Sequence, residues 1–245
     1  MSSLVYSFLY LAPNGLLIAA AVLPAVGLLI YVYRRDRVEP EPLGLLCGLL
    51  LCGVGATRLA IVTESVGAAA LAFFLPGGEE HPAYGVWMYF VVVALSEEGF
   101  KYLALRLRTW RSPSFNCRFD GVVYAVFVSL GFALAENIGY VLMYGLGAAL
   151  LRALTAVPGH ASFGVFMGAY YSLARHSANR GNSGVSAFWS VLAVLVPTVI
   201  HGMYDFIAST EPNVFSPVFV IFVLIVFSLA ALMVRHLSKR DRYIA

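Results

Sequence analysis

Of the 245 residues 60% are apolar and only 12% are charged, and the mean hydropathy is +0.83. Soluble domains carry about 25% charged residues, so a soluble globular fold is excluded and the chain reads as one all-α, polytopic transmembrane bundle over residues 1–245. The net charge of +3 comes from basic residues in short gaps between apolar runs, without the interleaved aromatics that base stacking needs. The bilayer, and not a nucleic acid, is therefore the expected surroundings.

The first apolar run, Pro13 to Tyr33, has no basic segment before it and stops at Arg34-Arg35-Asp36-Arg37, which predicts a retained span rather than a cleaved signal peptide. A Pro-rich acidic stretch, Glu39-Pro40-Glu41-Pro42, leads to span two, Leu43 to Thr63. Arg58 near its far end either snorkels to the interface or pairs with an acid. Cys47 and Cys52 lie five apart in this run and Cys117 is remote, so neither a zinc spacing nor a disulfide framework is present. The connection Glu64 to Gly85 contains an apolar patch, Ala68 to Leu75, too short to span and expected as an interfacial helix or a lid.

Span three, Val86 to Leu105, carries Ser96-Glu97-Glu98-Gly99-Phe100-Lys101 in its middle. Span four runs from Gly121 to Tyr144 with Glu136, Asn137 and Tyr140. Span five runs from Ala149 to Ala174 with His160, and span six from Ala187 to Ala208 with His201, Tyr204 and Asp205. A turn at Glu211-Pro212-Asn213 leads to span seven, Val214 to Val234, which is apolar throughout. The basic residues that follow spans one, three, five and seven greatly outnumber Arg152, the one Lys or Arg in the connections on the other side apart from Arg58 at the end of span two. The positive-inside rule then predicts an outside N-terminus and a cytoplasmic C-terminus. No nucleotide-binding loop, haem motif or repeat appears.

A charged residue at bilayer depth costs about 2.5–3.5 kcal/mol on insertion scales, which makes the polar core, residues 86–208, the candidate site. The peripheral spans 13–33, 43–63 and 214–234 bring no carboxylate or histidine to that depth. Lys101 lies four residues after Glu97 and three after Glu98, so it reaches either carboxylate. Adjacent glutamates point about 100° apart on a helix, which predicts that one faces a cavity while the other is held by Lys101 or a neighbouring helix. Pro158-Gly159-His160 is expected to break its helix locally, and Gly164 with Gly168 to form a close-packing face. His201 and Asp205 are four apart, so the acid is expected to hold one imidazole nitrogen and leave the other for a ligand.

Three chemistries use this set. A glutamate can act as general base on water, with imidazoles meeting the oxyanion of an attacked amide. Alternatively His160, His201 and a carboxylate (Glu97, Glu98 or Asp205) ligate a divalent metal such as zinc. In the third, the same groups form an ion or proton path for a transporter, but no self-similarity between the halves supports it.

Glu97-Glu98-x-x-Lys101, Phe119-Asp120-Gly121-Val122-Val123-Tyr124, Gly131-Phe132-Ala133-x-x-Glu136-Asn137, His160 with Gly164 and Gly168, and His201-Gly202-x-Tyr204-Asp205-Phe206 together resemble the PrsW family of intramembrane proteases. The resemblance covers Val86 to Ala208. It implies a multi-pass protein of the bacterial cytoplasmic membrane that makes the first cut in a single-pass anti-sigma factor during envelope-stress signalling. It also implies distant kinship with the CAAX prenyl protease and bacteriocin-processing superfamily. By position Glu97 and Glu98 match the family's double glutamate, with Lys101 in the basic place, and the residues are read with Glu97 as the water-activating base, Glu98 as second carboxylate and Lys101 as their counter-charge. His160 and His201 polarise the scissile carbonyl, Asp205 orients His201, and Glu136 and Asn137, with Tyr140 and Tyr204, support these groups or clamp substrate. The family is often labelled metalloprotease, whereas relatives have been described as glutamate-dependent. The lack of a short metal-ligand motif tilts the reading to the metal-free form, with zinc on the same residues as the alternative.

Overall fold

A computed structural model describes residues 3–211 and 215–244, with side chains described at residue 15 and from 17 onward. Every regular element among these residues is helical. In chain order they are α1 (Ser3–Tyr33), α2 (Leu43–Phe74), a 3-10 turn (Gly78–Glu80), α3 (Tyr84–Val86), a π-helical segment (Trp87–Ala94), α4 (Leu95–Thr109), α5 (Asp120–Leu154), α6 (Ala156–Asn179), α7 (Ser183–Thr210) and α8 (Pro217–Lys239). Four stretches of the described residues are long and apolar enough to cross a membrane: Leu43–Phe74, Asp120–Asn179, Ser183–Thr210 and Pro217–Lys239. The second of these folds back on itself, since Gly121 meets Gly168 and Ser172, and Gly164 meets Ser129. The outward faces of α2 and α8 present Leu51, Leu59, Val62, Ile221, Leu224 and Ile225. That belt is what an apolar solvent requires and what water would penalise.

The first half of α5 is the axis. Val122 to Val126, Leu130, Phe132 and Ala133 are completely buried, enclosed by α1, α2, α4 and α6. Close approach is set by missing side chains. A Cβ on Gly131 would overlap the Leu50 carbonyl of α2, and one on Gly53 would overlap the Val128 carbonyl. Between helices in lipid, such small-residue contacts replace the hydrophobic drive that operates in water. The second half of α5 turns at Gly145, whose φ of 76° lies in the left-handed region that glycine adopts without steric cost. The turn carries residues 146–154 back toward the polar core.

Two local expectations are corrected. The Ala68–Leu75 patch is neither a separate interfacial helix nor a lid. Nothing in 43–74 breaks the helix, so its first seven residues continue α2 without interruption to Phe74. Pro158 does not break α6, because the helix starts at Ala156 and a proline in the first turn removes no intrahelical hydrogen bond. Of the turn expected at Glu211-Pro212-Asn213, Pro212 and Asn213 lie outside the described residues, as does Val214 at the start of span seven.

At the basic end the chain closes on itself. Arg118 N–H donates to the Arg242 carbonyl and Ile244 N–H to the Asn116 carbonyl, with an isolated bridge between Cys117 and Tyr243. Ser238 Oγ donates to the Arg35 carbonyl. The tail is thus stitched to the loops after α1 and α4.

Candidate functional site

The polar residues of four helices converge. The π-helical segment 87–94 widens the backbone by one residue per turn and hands over to α4 two residues before Glu97. Such segments recur at functional sites because they re-aim the side chains that follow. Glu97, Glu98 and Lys101 are all buried. The Lys101 ammonium has three protons and three acceptors: Glu97 Oε2 at 3.0 Å, Glu98 Oε1 at 2.8 Å and His160 Nδ1 at 3.0 Å. The ammonium nitrogen also lies 4.0 Å from the centroid of the Phe132 ring, whose negative face adds attraction.

This geometry assigns the tautomer of His160. A lysine ammonium has only donors, so Nδ1 accepts and the ring proton sits on Nε2, which points to Glu136 Oε2 at 2.9 Å. The same Glu136 oxygen accepts from Arg152 NH2 at 2.9 Å, and Arg152 Nε donates to Asn137 Oδ1 at 3.0 Å. Asn137 Nδ2 in turn donates to the Ala21 carbonyl of α1 at 2.8 Å. Asn137 is fully buried and positions Arg152 rather than facing the cavity.

The two glutamates divide as helix geometry predicts. Glu98 is completely enclosed, bonded to Lys101 and, at 2.9 Å, to His201 Nδ1. Glu97 lines a cavity of about 480 Å³ together with Glu64, Glu136, Tyr140, Arg152, His160, Phe163, His201, Tyr204 and Asp205. Its hydrogen bond with Lys101 and its approach to His201 both run through Oε2. A larger groove of about 830 Å³ beside α4 and α7, lined by Leu95, Tyr102, Val191 and Leu195 among others, carries no carboxylate or histidine.

His201 departs from the expected arrangement. Asp205 Oδ2 stands 3.3 Å from Nε2, but the other nitrogen is not left for a ligand, because Glu98 holds it. Phe163 stacks on the ring at 4.7 Å between centroids and 21° between planes, fixing its tilt. His160 lies 5.4 Å away and nearly perpendicular.

Three cavity residues escape sequence reasoning. Glu64 sits at the end of span two, and only the unbroken length of α2 shows that it faces inward. Phe163 looks like any membrane aromatic. Arg152 did leave a trace: it stands almost alone on a side otherwise nearly without basic residues, and an isolated arginine against the positive-inside bias calls for a partner. Gly145 returns it to Glu136, with its guanidinium 4.1 Å over the Tyr140 ring.

The chain as a whole is similar to known proteins. A family model described as PrsW family intramembrane metalloprotease matches residues 41–232. Protease PrsW of Bacillus subtilis (strain 168) is 32% identical over 203 residues, covering 80% of this chain and 84% of that protein. Protease PrsW of Geobacillus kaustophilus (strain HTA426) is 34% identical over 191 residues, covering 78% and 79%. Protease PrsW of Halalkalibacterium halodurans is 31% identical over 226 residues, covering 92% and 99%. No solved structure matches.

The family description names a metal, which would need a donor set free to hold it. Among the described residues the one group of potential ligands in the polar core is Glu97, Glu98 and His160, with one donor atom from each within 4.8 Å of the others. Those three side chains are the ones that surround the Lys101 ammonium. Zinc needs them at about 2.0–2.2 Å, in the space the ammonium fills. His201 is turned to Glu98 and Asp205 and does not join the set. The residues as arranged therefore do not fit a metal.

Proposed function

The chain belongs to the PrsW family of intramembrane proteases and is a peptide hydrolase of the membrane, and from that premise we propose that Glu97 is the general base of a metal-free, glutamate-dependent cleavage. One observation carries the reading. Of two adjacent carboxylates, Glu97 lines the polar cavity and Glu98 is enclosed behind it. Glu97 takes a proton from a water as the oxygen attacks the scissile carbonyl, and returns it to the departing amine. Lys101 keeps Glu97 in place and balances the pair. The guanidinium of Arg152 borders the cavity and meets the developing oxyanion, while His160, its Nε2 proton held by Glu136, braces Glu136 and Lys101. Glu98 and Asp205 hold His201 from either side. Tyr140 and Tyr204 line the space that receives the substrate.

The same reading takes α1, α2, the Tyr84–Thr109 helix and α5 to α8 as seven spans with the N-terminus outside and the C-terminus cytoplasmic. It places the chain in the bacterial cytoplasmic membrane, with a single-pass anti-sigma factor as substrate. The test uses purified full-length protein in detergent and a single-pass membrane substrate. Glu97→Gln is expected to lower cleavage by a factor of at least 10³, and a chelator to leave the wild type unchanged. Cleavage lost to chelator and restored by zinc would overturn the metal-free mechanism. Full activity of Glu97→Gln would overturn the assignment of the base.

A further inference from the structure

The motif Phe119-Asp120-Gly121-Val122-Val123-Tyr124 takes no part in the cavity. It builds something else at the opposite, basic end of the bundle. Asp120, at the start of α5, meets Asp36 and Glu41 from the loop between α1 and α2. One ligand atom from each lies within 4.8 Å of the others, and all three residues are more than nine-tenths buried. Asp120 also belongs to a second such group with Cys117 and Asp241.

The way these carboxylates are held matters more than their number. Asp120 Oδ2 accepts from the backbone N–H groups of Cys117 and Asn116, and Asp241 Oδ1 accepts from those of Phe119 and Arg242. In each case one oxygen is fixed by the backbone while the other, Asp120 Oδ1 or Asp241 Oδ2, is buried and receives no hydrogen bond. No donor reaches either oxygen of Asp36 or Glu41 Oε2 with full hydrogen-bond geometry, the backbone of Glu41 being the near neighbour of the Asp36 carboxyl, and Tyr124 and Asp120 those of the Glu41 carboxyl. Asp36 therefore keeps acceptor capacity to offer the group. Among the described residues no lysine, arginine or histidine forms an ion pair with any of the four acids, although Arg34, Arg35, Arg37, Arg118 and Arg242 are near in sequence.

Buried carboxylates without a counter-charge are costly. Burial, reinforced by neighbouring acids, pushes the Asp36 carboxyl up to about 6, and burial likewise pushes that of Glu41 up to about 7. An oxygen-only group of three carboxylates, that of Asp120 oriented by backbone amides, suits a hard cation of the Mg²⁺, Ca²⁺ or Mn²⁺ class and not a soft one. We infer that Asp36, Glu41 and Asp120 form a divalent-cation site, with Asp241 alongside, that fastens the α1–α2 loop and the C-terminal tail to the start of α5.

The inference stands apart from the protease mechanism, and its test keeps the two distinct. Full-length protein in detergent is stripped with EDTA and titrated with MnCl₂ at pH 8, following the loss of the free Mn²⁺ electron paramagnetic resonance signal. One saturable site is expected, displaced by MgCl₂ or CaCl₂. The Glu97→Gln protein is expected to bind identically. Asp36→Asn and Glu41→Gln should each weaken Mn²⁺ binding at least tenfold. Because they remove like-charge repulsion, neither should lower the unfolding temperature in EDTA. In the wild type that temperature should rise by a few degrees at saturating Mg²⁺, as linkage requires. Should either variant fail to fold, the wild-type Mn²⁺ titration and Asp241→Asn, in the half-buried tail, still decide the matter. The inference fails if the wild type binds no Mn²⁺ at pH 8, or if its unfolding temperature is the same in EDTA and in Mg²⁺. Unchanged affinity in the variants overturns it too. Absence of binding means that Glu41 and Asp120, which lie in hydrogen-bonding contact, share a proton in place of a metal, and unchanged affinity in the variants means that the ion binds elsewhere.

Discussion

Lys101 is where the charges of the site are reconciled. Its ammonium touches two carboxylates and an imidazole, and no water-exposed surface remains on it. Removing one partner of a buried ion pair costs about 3–5 kcal/mol, since the remaining charge is left uncompensated. Lys101→Met should therefore lower unfolding free energy by about that amount and abolish cleavage. Adding Glu98→Gln should restore part of the stability without restoring activity, because Glu97 would still lack its counter-charge. Chemical denaturation of the single and double variants in one detergent would check this, and a double variant no more stable than Lys101→Met would count against the account. The contact between Lys101 and the two glutamates was legible in the sequence, because i, i+3 and i, i+4 neighbours meet on any helix. The bond to His160 was not, since it depends on how far α4 and α6 slide past one another. For the same reason the second nitrogen of His201 could not be assigned in advance: Glu98 reaches it from another helix, 103 residues away in the chain.

At the level of elements, α5 owes its place to glycines whose missing Cβ atoms admit a neighbouring backbone. Gly131→Ala would put a methyl group into the Leu50 carbonyl, and Gly168→Ala into the Gly121 carbonyl. Backbone on both sides cannot yield as a side-chain tip can, so each change should cost about 3 kcal/mol or more, the upper end for overpacking. Gly139→Ala is the control. Nothing lies within 4 Å of a Cβ there, and it exchanges glycine for the best helix former, worth up to about 1 kcal/mol. Thermal unfolding should thus fall for the first two variants and hold or rise for the third. Sequence reading located the apolar runs, and the Gly164/Gly168 face proved to be the contact with α5. It misjudged where α2 ends, because Glu64 looks like a boundary, whereas in the fold the helix carries that carboxylate past the cavity wall.

For the whole molecule, the charge asymmetry predicts which loops are accessible from which side. In a variant with Cys47, Cys52 and Cys117 replaced by alanine, a cysteine at Glu80 should react with an impermeant maleimide added to intact cells. A cysteine at Asn182 should react only after lysis. The reverse pattern would invert the topology. Within this frame no described side chain of α1 lines the cavity, yet the helix is not a bystander. Its Ala21 carbonyl holds Asn137, Asn137 holds Arg152, Arg152 holds Glu136, and Glu136 holds His160. A displacement of α1 is therefore felt at the His160 imidazole, which borders the polar cavity, through this relay of side chains. A membrane partner that gripped α1 from the lipid side would have its hand on the polar cavity without ever entering it.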